Sequence, residues 1–180
     1  TNKGNFLSEY LVFCAGLQAD RMAKTDGVKL KERVVGFRGD YYELTDQAMH
    51  KVKNLIYPVP DPAFPFLGVH FTRMIGGGIE AGPNAVFAFK KEGYHRTDFN
   101  FKEFTESLMW PGFQKVMMKY WKTGLGEMYR SFSKKAFTKA LQRLIPEITE
   151  DQLVAAPAGV RAQACDRTGG LLDDFKLVTD

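Results

Sequence analysis

The sequence predicts an α+β fold, an antiparallel-rich mixed β-sheet with a run of helices packed on it. Three observations carry that reading. Segments that alternate between two faces occur at 33–44, at 156–166 and in the two arms flanking Gly76, Gly77 and Gly78. Those consecutive glycines permit a tight reversal, which joins the two arms into a hairpin. From residue 101 to 145 the apolar spacing becomes helical, punctuated by Pro111, Gly124, Gly126 and Ser133. A chain of 180 residues with 44% hydrophobic and 26% charged side chains can build one domain with a real core and carries no mark of disorder.

Taken in order, YLVFC (10–14) reads as a short strand, Ala15-Gly16 as a turn and 17–25 as a helix, the ending of a βα unit. Gly16 stands alone, without the spacing of a phosphate-cradling G-x-G-x-x-G, so an ordinary tight turn is the stronger reading of it. RVVGFRGDYYEL (33–44) is a strand with Gly36, Arg38, Asp40 and Tyr42 on one side and Val35, Phe37 and Tyr41 on the other. Its glycines, Gly36 and Gly39, mark bulges or close approaches, and Arg38 has Asp40 or a neighbouring strand as a partner. Residues 53–57 begin a further strand. Pro58, Pro60, Pro62 and Pro65 then make the approach to the hairpin rigid and extended.

In the hairpin, pairing Ile75 with Ile79 sets Thr72 opposite Gly82 and His70 opposite Asn84 on one face, with Gly68 beside them. Glycines next to His, Thr and Asn leave room for a molecule to approach the imidazole. A satisfied structural histidine is the competing reading. Beyond the hairpin, Asn100 and Glu103 have capping-box spacing for a helix ending near Trp110, and Pro111 restarts the helical series. Helices at 113–121, 125–132 and 134–145 follow, with Phe113, Met117, Met118, Tyr120 and Trp121 as core positions and Phe137, Leu141, Leu144 and Ile145 on the buried face of the last. In the strand at 156–166, Ala162 and Ala164 share one face and Arg161, Gln163 and Cys165 the other. A guanidinium there can grip a carboxylate through two parallel hydrogen bonds or serve in a structural salt bridge. A last strand is expected at 171–178.

The formal charge is +4, its excess lying mainly between Lys102 and Arg143, which describes a local basic surface and argues against a nucleic-acid-binding chain. The two cysteines, Cys14 and Cys165, lack metal or redox spacing and read as buried reduced thiols in a cytoplasmic protein; no metal site is expected. No apolar run reaches membrane-spanning length and no signal peptide is visible. The chain opens on Thr1, almost directly into a buried-type strand, which suggests a segment of something longer.

Six blocks, CAGLQADR (14–21), FRGDYYEL (37–44), NLIYPVPDPAFPFLGVHFTR (54–73), EAGPNAV (80–86), YRSFSKKAFTKALQRLIPEI (129–148) and PAGVRAQA (157–164), together resemble the L-2-hydroxyglutarate oxidase family, flavoproteins of the D-amino-acid-oxidase-like superfamily. The resemblance spans nearly the whole chain but less than half of the family's length. The family's N-terminal dinucleotide-binding unit and its C-terminal flavin-contacting stretch have no counterpart here. It implies FAD as cofactor and oxidation of a 2-hydroxy dicarboxylate, L-2-hydroxyglutarate, to 2-oxoglutarate. It also implies residues 1–29 as an edge of the FAD-binding domain, 30–165 as the substrate domain and 166–180 as a return toward the FAD-binding domain.

Within that frame His70 is the candidate base for the substrate hydroxyl, since an imidazole suits proton transfer at neutral pH. Arg161, Arg73 and Arg38 are the candidate cations for a dianionic substrate, with Asn84 and Thr72 as neutral partners. Strand parity ranks Arg73 below Arg161. Ala15, Gly16 and Gly68 are the candidate cofactor contacts. A different class of function competes: a binding module whose lysines (Lys115, Lys119, Lys122, Lys134, Lys135, Lys139) dock on anionic lipid or an acidic partner. The two are compatible in an enzyme that feeds a membrane electron carrier from the inner face of a membrane. A related flavoenzyme acting on another hydroxy or amino acid is the third reading.

Overall fold

The spine of the sheet is one long antiparallel pair. In the computed structural model, which describes residues 4–60 and 68–178, β1 (Glu32–Leu44) pairs with β5 (Leu153–Asp166) from Glu32↔Asp166 to Leu44↔Leu153. The register shifts between Gly39 and Tyr41, opposite Pro157 and Ala158 on β5. Proline lacks an amide N–H, and it is tolerated on this edge strand at an irregularity in the ladder. On the other side of β1 lie β3 (Ile79–Gly82) and the two-residue β4 (Val86–Phe87), and β2 (His70–Arg73) pairs with β3. Every pairing is antiparallel.

Four helices accompany this sheet among the described residues: α1 (Ala19–Thr25), α2 (Phe101–Leu108), α3 (Pro111–Phe132) and α4 (Lys134–Leu141). Period two splits the apolar side chains of β1 between two cores. Tyr42 and Leu44 pack with Phe71, Ile79, Phe137, Leu141 and Leu153 under α4, the Tyr42 and Phe137 rings 4.8 Å apart. Val35 and Phe37 face the other way and meet Phe113, Val116 and Cys165 under the first turns of α3. Near its C-terminus α3 instead meets the Tyr42 side of β1, where Arg38 Nη2 donates to Ser131 Oγ at 3.1 Å. The helix therefore bends past the β4 edge of the sheet, and non-helical dihedrals at Tyr120 (φ −113°, ψ 19°) mark the bend.

β3 and β4 would be one strand but for Pro83, which follows a cis Gly82–Pro83 peptide. The gap leaves the Asp40 amide of β1 without a strand partner, and the Asn84 side chain fills it, Oδ1 accepting from Asp40 N at 2.7 Å. Asn84 Nδ2 donates to Asp40 Oδ2 at 3.2 Å, and Ser131 Oγ donates to the same oxygen at 2.5 Å. Arg38 Nε lies 3.3 Å from Asp40 Oδ1. Arg38, Asp40, Asn84 and Ser131 are all buried, so each is tied to the others by the cost of losing a partner away from water.

A second buried pair places α1. The Asp20 carboxylate accepts from Val34 N at 3.2 Å and from Lys91 Nζ at 2.5 Å, and Lys91 Nζ also donates to the Leu17 carbonyl at 2.9 Å. Burial pulls the Lys91 pKa down, and the bond to Asp20 opposes that shift. At α2, Asn100 Oδ1 caps the helix by accepting from Glu103 N at 3.1 Å. The reciprocal half of the capping box is absent, because Glu103 accepts from Lys91 N and Arg21 Nη1 instead.

Several expectations change. Residues 10–14 form no strand, and Tyr10, Leu11, Val12 and Cys14 are exposed; both sides of β1 are already paired. The strand expected at 53–57 reduces to one bridge, Ile56↔Phe71, and the last strand to another, Cys165↔Leu171. The hairpin register is His70↔Gly82 and Thr72↔Glu80, two residues from the expected pairing, because the turn keeps five residues, 74–78, with Ile75 fully exposed. Side-chain parity survives a shift of two. Helix α3 runs through Gly124 and Gly126 without breaking, and Met118 and Trp121 lie on its exposed side, outside the core. Pro62 and Pro65 lie outside the described residues.

Removing the Asn84 amide leaves the Asp40 N–H buried without an acceptor, so Asn84→Ala should lower unfolding stability by about 1–3 kcal/mol. A chemical-denaturation midpoint that falls, with an unchanged slope, is the expected result.

Candidate functional site

The expected site residues separate onto the two faces of the sheet. His70 on β2, Gly82 on β3 and Tyr41 on β1 form one row across the strands, on the side of β1 that also holds Phe37. Arg161 on β5 is directly opposite Phe37 and shares that face. Thr72, paired with Glu80, lies on the same face, but beyond His70 from Arg161. Arg38 and Asn84 belong to the opposite side, buried in the network around Asp40. Arg73 also points away from His70, its Nη1 donating to the Val52 carbonyl at 3.4 Å.

His70 is half-buried, and its ring stacks on Tyr57 with centroids 4.3 Å apart and planes 24° off parallel. Nδ1 lies 3.2 Å from the Gly68 carbonyl oxygen. A carbonyl only accepts, so that contact places the proton on Nδ1 and leaves the Nε2 lone pair as the basic site. Burial pulls the His70 pKa below its ordinary value; the Gly68 bond opposes this and the Arg161 charge adds to it. Tyr41 responds to the same surroundings. Its pKa is raised by burial and by Glu80, while Arg161 works the other way. The guanidinium of Arg161 therefore acts electrostatically on both neighbouring rings.

Arg161 also lines a cleft of about 1070 Å³, with Pro58, Gly68 and Val69 on one wall and Val116, Tyr120, Arg130, Arg143 and Leu144 on the helical side. Sequence reasoning missed Tyr57, Tyr41, Arg130 and Arg143. Tyr57 had a legible signal, since a bridge at Ile56 to Phe71 brings the neighbouring Tyr57 beside His70. Arg130 and Arg143 had none, because one comes from α3 and the other from the turn after Leu141, and they meet only through tertiary packing. Of the expected cofactor contacts, Gly68 is exposed at the cleft, and Ala15 and Gly16 form a separate turn in which the Ala15 carbonyl accepts from Gln18 N at 2.9 Å. Among the described residues no group of three or more His, Cys, Asp or Glu is placed to hold a metal ion, and no helix is long and apolar enough to cross a membrane.

The family model for FAD dependent oxidoreductases matches residues 1–175. Among similar proteins, the L-2-hydroxyglutarate dehydrogenase of Indibacter alkaliphilus is 61% identical, over 100% of this chain and 45% of its own. The mitochondrial L-2-hydroxyglutarate dehydrogenase of Nematostella vectensis is 48% identical over 97% of this chain and 38% of its own. That of Escherichia coli K12 is 44% identical over 98% and 42% respectively. The chain spans less than half the length of these curated relatives. With a match over nearly its whole length, the chain belongs to the FAD dependent oxidoreductase family.

Proposed function

We propose that the protein carrying this chain oxidises L-2-hydroxyglutarate to 2-oxoglutarate with FAD as hydride acceptor, and that this chain supplies the substrate base and a carboxylate-binding arginine. The observation that carries the reading is the half-buried imidazole of His70, its Nε2 left as the basic site and the Arg161 charge acting on the same face. The names of the relatives supply the substrate. Neutral His70 takes the hydroxyl proton as the carbinol carbon is oxidised. Arg161 holds the carboxylate beside that carbon and so fixes which hydrogen leaves. Thr72 is a neutral neighbour on this face, while Arg38 and Asn84 keep the sheet in register behind it.

The described residues do not by themselves fit the dinucleotide. Gly16, at φ +49°, begins a 3-10 turn and then a helix of 7 residues, too short to offer a phosphate its N-terminus, and the sequence holds no G-x-G-x-x-G. The pyrophosphate is thus a task for the rest of the protein. Purified alone, the 180-residue chain should be colourless and should not quench flavin fluorescence on titration with FAD. Retention of stoichiometric flavin through gel filtration would contradict that.

In the full-length protein, anaerobic addition of L-2-hydroxyglutarate should bleach the flavin absorbance. His70→Gln should lower kcat by ~10²-fold or more with a smaller effect on KM. A base whose pKa is depressed stays neutral to lower pH, so the acid limb of kcat/KM should fall below pH ~6.5 and vanish in the variant. A bleaching rate unchanged by the substitution would remove His70 from the reaction.

A second partner reading rests on α3, where exposed Met118, Trp121 and Leu125 alternate with the exposed lysines Lys115, Lys119 and Lys122. Such a surface suits an anionic membrane on which an electron carrier resides. Co-sedimentation of the full-length protein with anionic vesicles should be strong at low salt and weaken as salt rises; binding to neutral vesicles alone would not fit.

A further inference from the structure

The helical side of the cleft holds two guanidiniums and one carboxylate. Arg130 and Arg143 both line it, from α3 and from the turn after α4. Glu127 is fully committed: Oε1 takes the ion pair with Arg130 Nη2, and Oε2 accepts from Ala85 N at 3.2 Å. Among the described residues no carboxylate pairs with Arg143, and Arg130 Nε is buried without a hydrogen-bond partner. The two cations sense each other, since burial and the Arg143 charge both pull the Arg130 pKa down. Like charges held together in a half-buried cleft are unfavourable until an anion joins them. The wall beside them is apolar, with Val116 and Leu144, which suits a short methylene chain.

We propose that Arg130 and Arg143 form the subsite for the distal carboxylate of the substrate, opposite Arg161, and so select a dicarboxylate over a 2-hydroxy monocarboxylate of equal length. This rests on the substrate class proposed above. Arg161 takes the carboxylate next to the reacting carbon, because its charge is the one that reaches His70. The remaining carboxylate of a five-carbon diacid then lies along the same cleft toward the helical arginines, where a planar fork can hold it by paired hydrogen bonds. An analogue with a methyl group in that place leaves two guanidiniums sharing the one carboxylate of Glu127, which is how a charged subsite rejects it.

The test uses the full-length protein with Arg143→Gln, an exposed position whose substitution spares the Glu127 pair. For L-2-hydroxyglutarate, kcat/KM should fall by about ten- to a hundredfold, while the low kcat/KM for L-2-hydroxyvalerate stays the same. Arg143→Lys should recover part of the loss. Glutarate, which cannot be oxidised at a hydroxyl it lacks, should raise the melting temperature of the wild type and not of Arg143→Gln. Equal losses for both substrates, or glutarate stabilisation unchanged in the variant, would overturn the assignment. Release of flavin from Arg143→Gln would also overturn it, in favour of a cofactor phosphate at these arginines. If the wild type is stabilised by glutarate yet does not oxidise L-2-hydroxyglutarate, the subsite stands and the proposed reaction falls.

Discussion

The chain leaves the ladder at Pro83, and much of the architecture follows from how the Asp40 N–H, left there without a strand carbonyl, finds another acceptor. The strand that would run unbroken along β1 splits there into β3 and β4, and the Asp40 amide loses its backbone partner. Asn84 replaces the backbone with a side-chain carbonyl. Its amide then holds the Asp40 carboxylate, which draws in Arg38 from the same strand and Ser131 from α3. A break in a sheet has become the place where a long helix is fastened to it. With Glu127 accepting from Ala85 N, the same helix also covers the edge that the short β4 leaves exposed.

The division of labour between the faces of the sheet is a consequence. On the Tyr42 side of β1 the polar groups are buried in the network around Asp40, and the apolar ones form the larger core with α4. On the Tyr41 side, Phe37 packs under the start of α3, while farther along β1 the surface carries His70 and Tyr41 half-buried, with Arg161 exposed nearby. The stacked Tyr57 partly desolvates the His70 imidazole, and Gly68, whose carbonyl lies 3.2 Å from His70 Nδ1, borders the cleft.

What could be read from the sequence was what depends on local chemistry. The Asn100 cap, the restart at Pro111, the end of α3 at Ser133 and the alternation along β1 and β5 are all dictated within a few residues, and all are found. The face shared by His70, Thr72 and Gly82 was legible because parity is insensitive to a register shift of two, although the register itself, the place of Asn84 on the opposite side and the place of Arg161 on this one were not. The failures need information from afar. Whether YLVFC becomes a strand depends on whether a partner strand has an unpaired edge, and Gly124 and Gly126 stay helical because Glu127 and Ser131 are anchored just beyond them. Asn84 was recognised as polar and well placed. Its service to the backbone was hidden until the break at Pro83 could be seen.

The two cysteines live in different chemical worlds. Cys165 lies beneath the start of α3, where a Cβ on Gly112 would collide with the Asp166 carbonyl, and its thiol is pushed up to about 11 by burial and then by Asp166. Near neutrality it is protonated and covered, hence unreactive toward an alkylating reagent. Cys14 is exposed. The folded chain thus carries one sulfur open to a reagent and one sealed within the packing of α3 on the sheet. The second becomes reachable only when that packing opens, so its alkylation rate is a clock for the opening, built into the sequence and readable by mass.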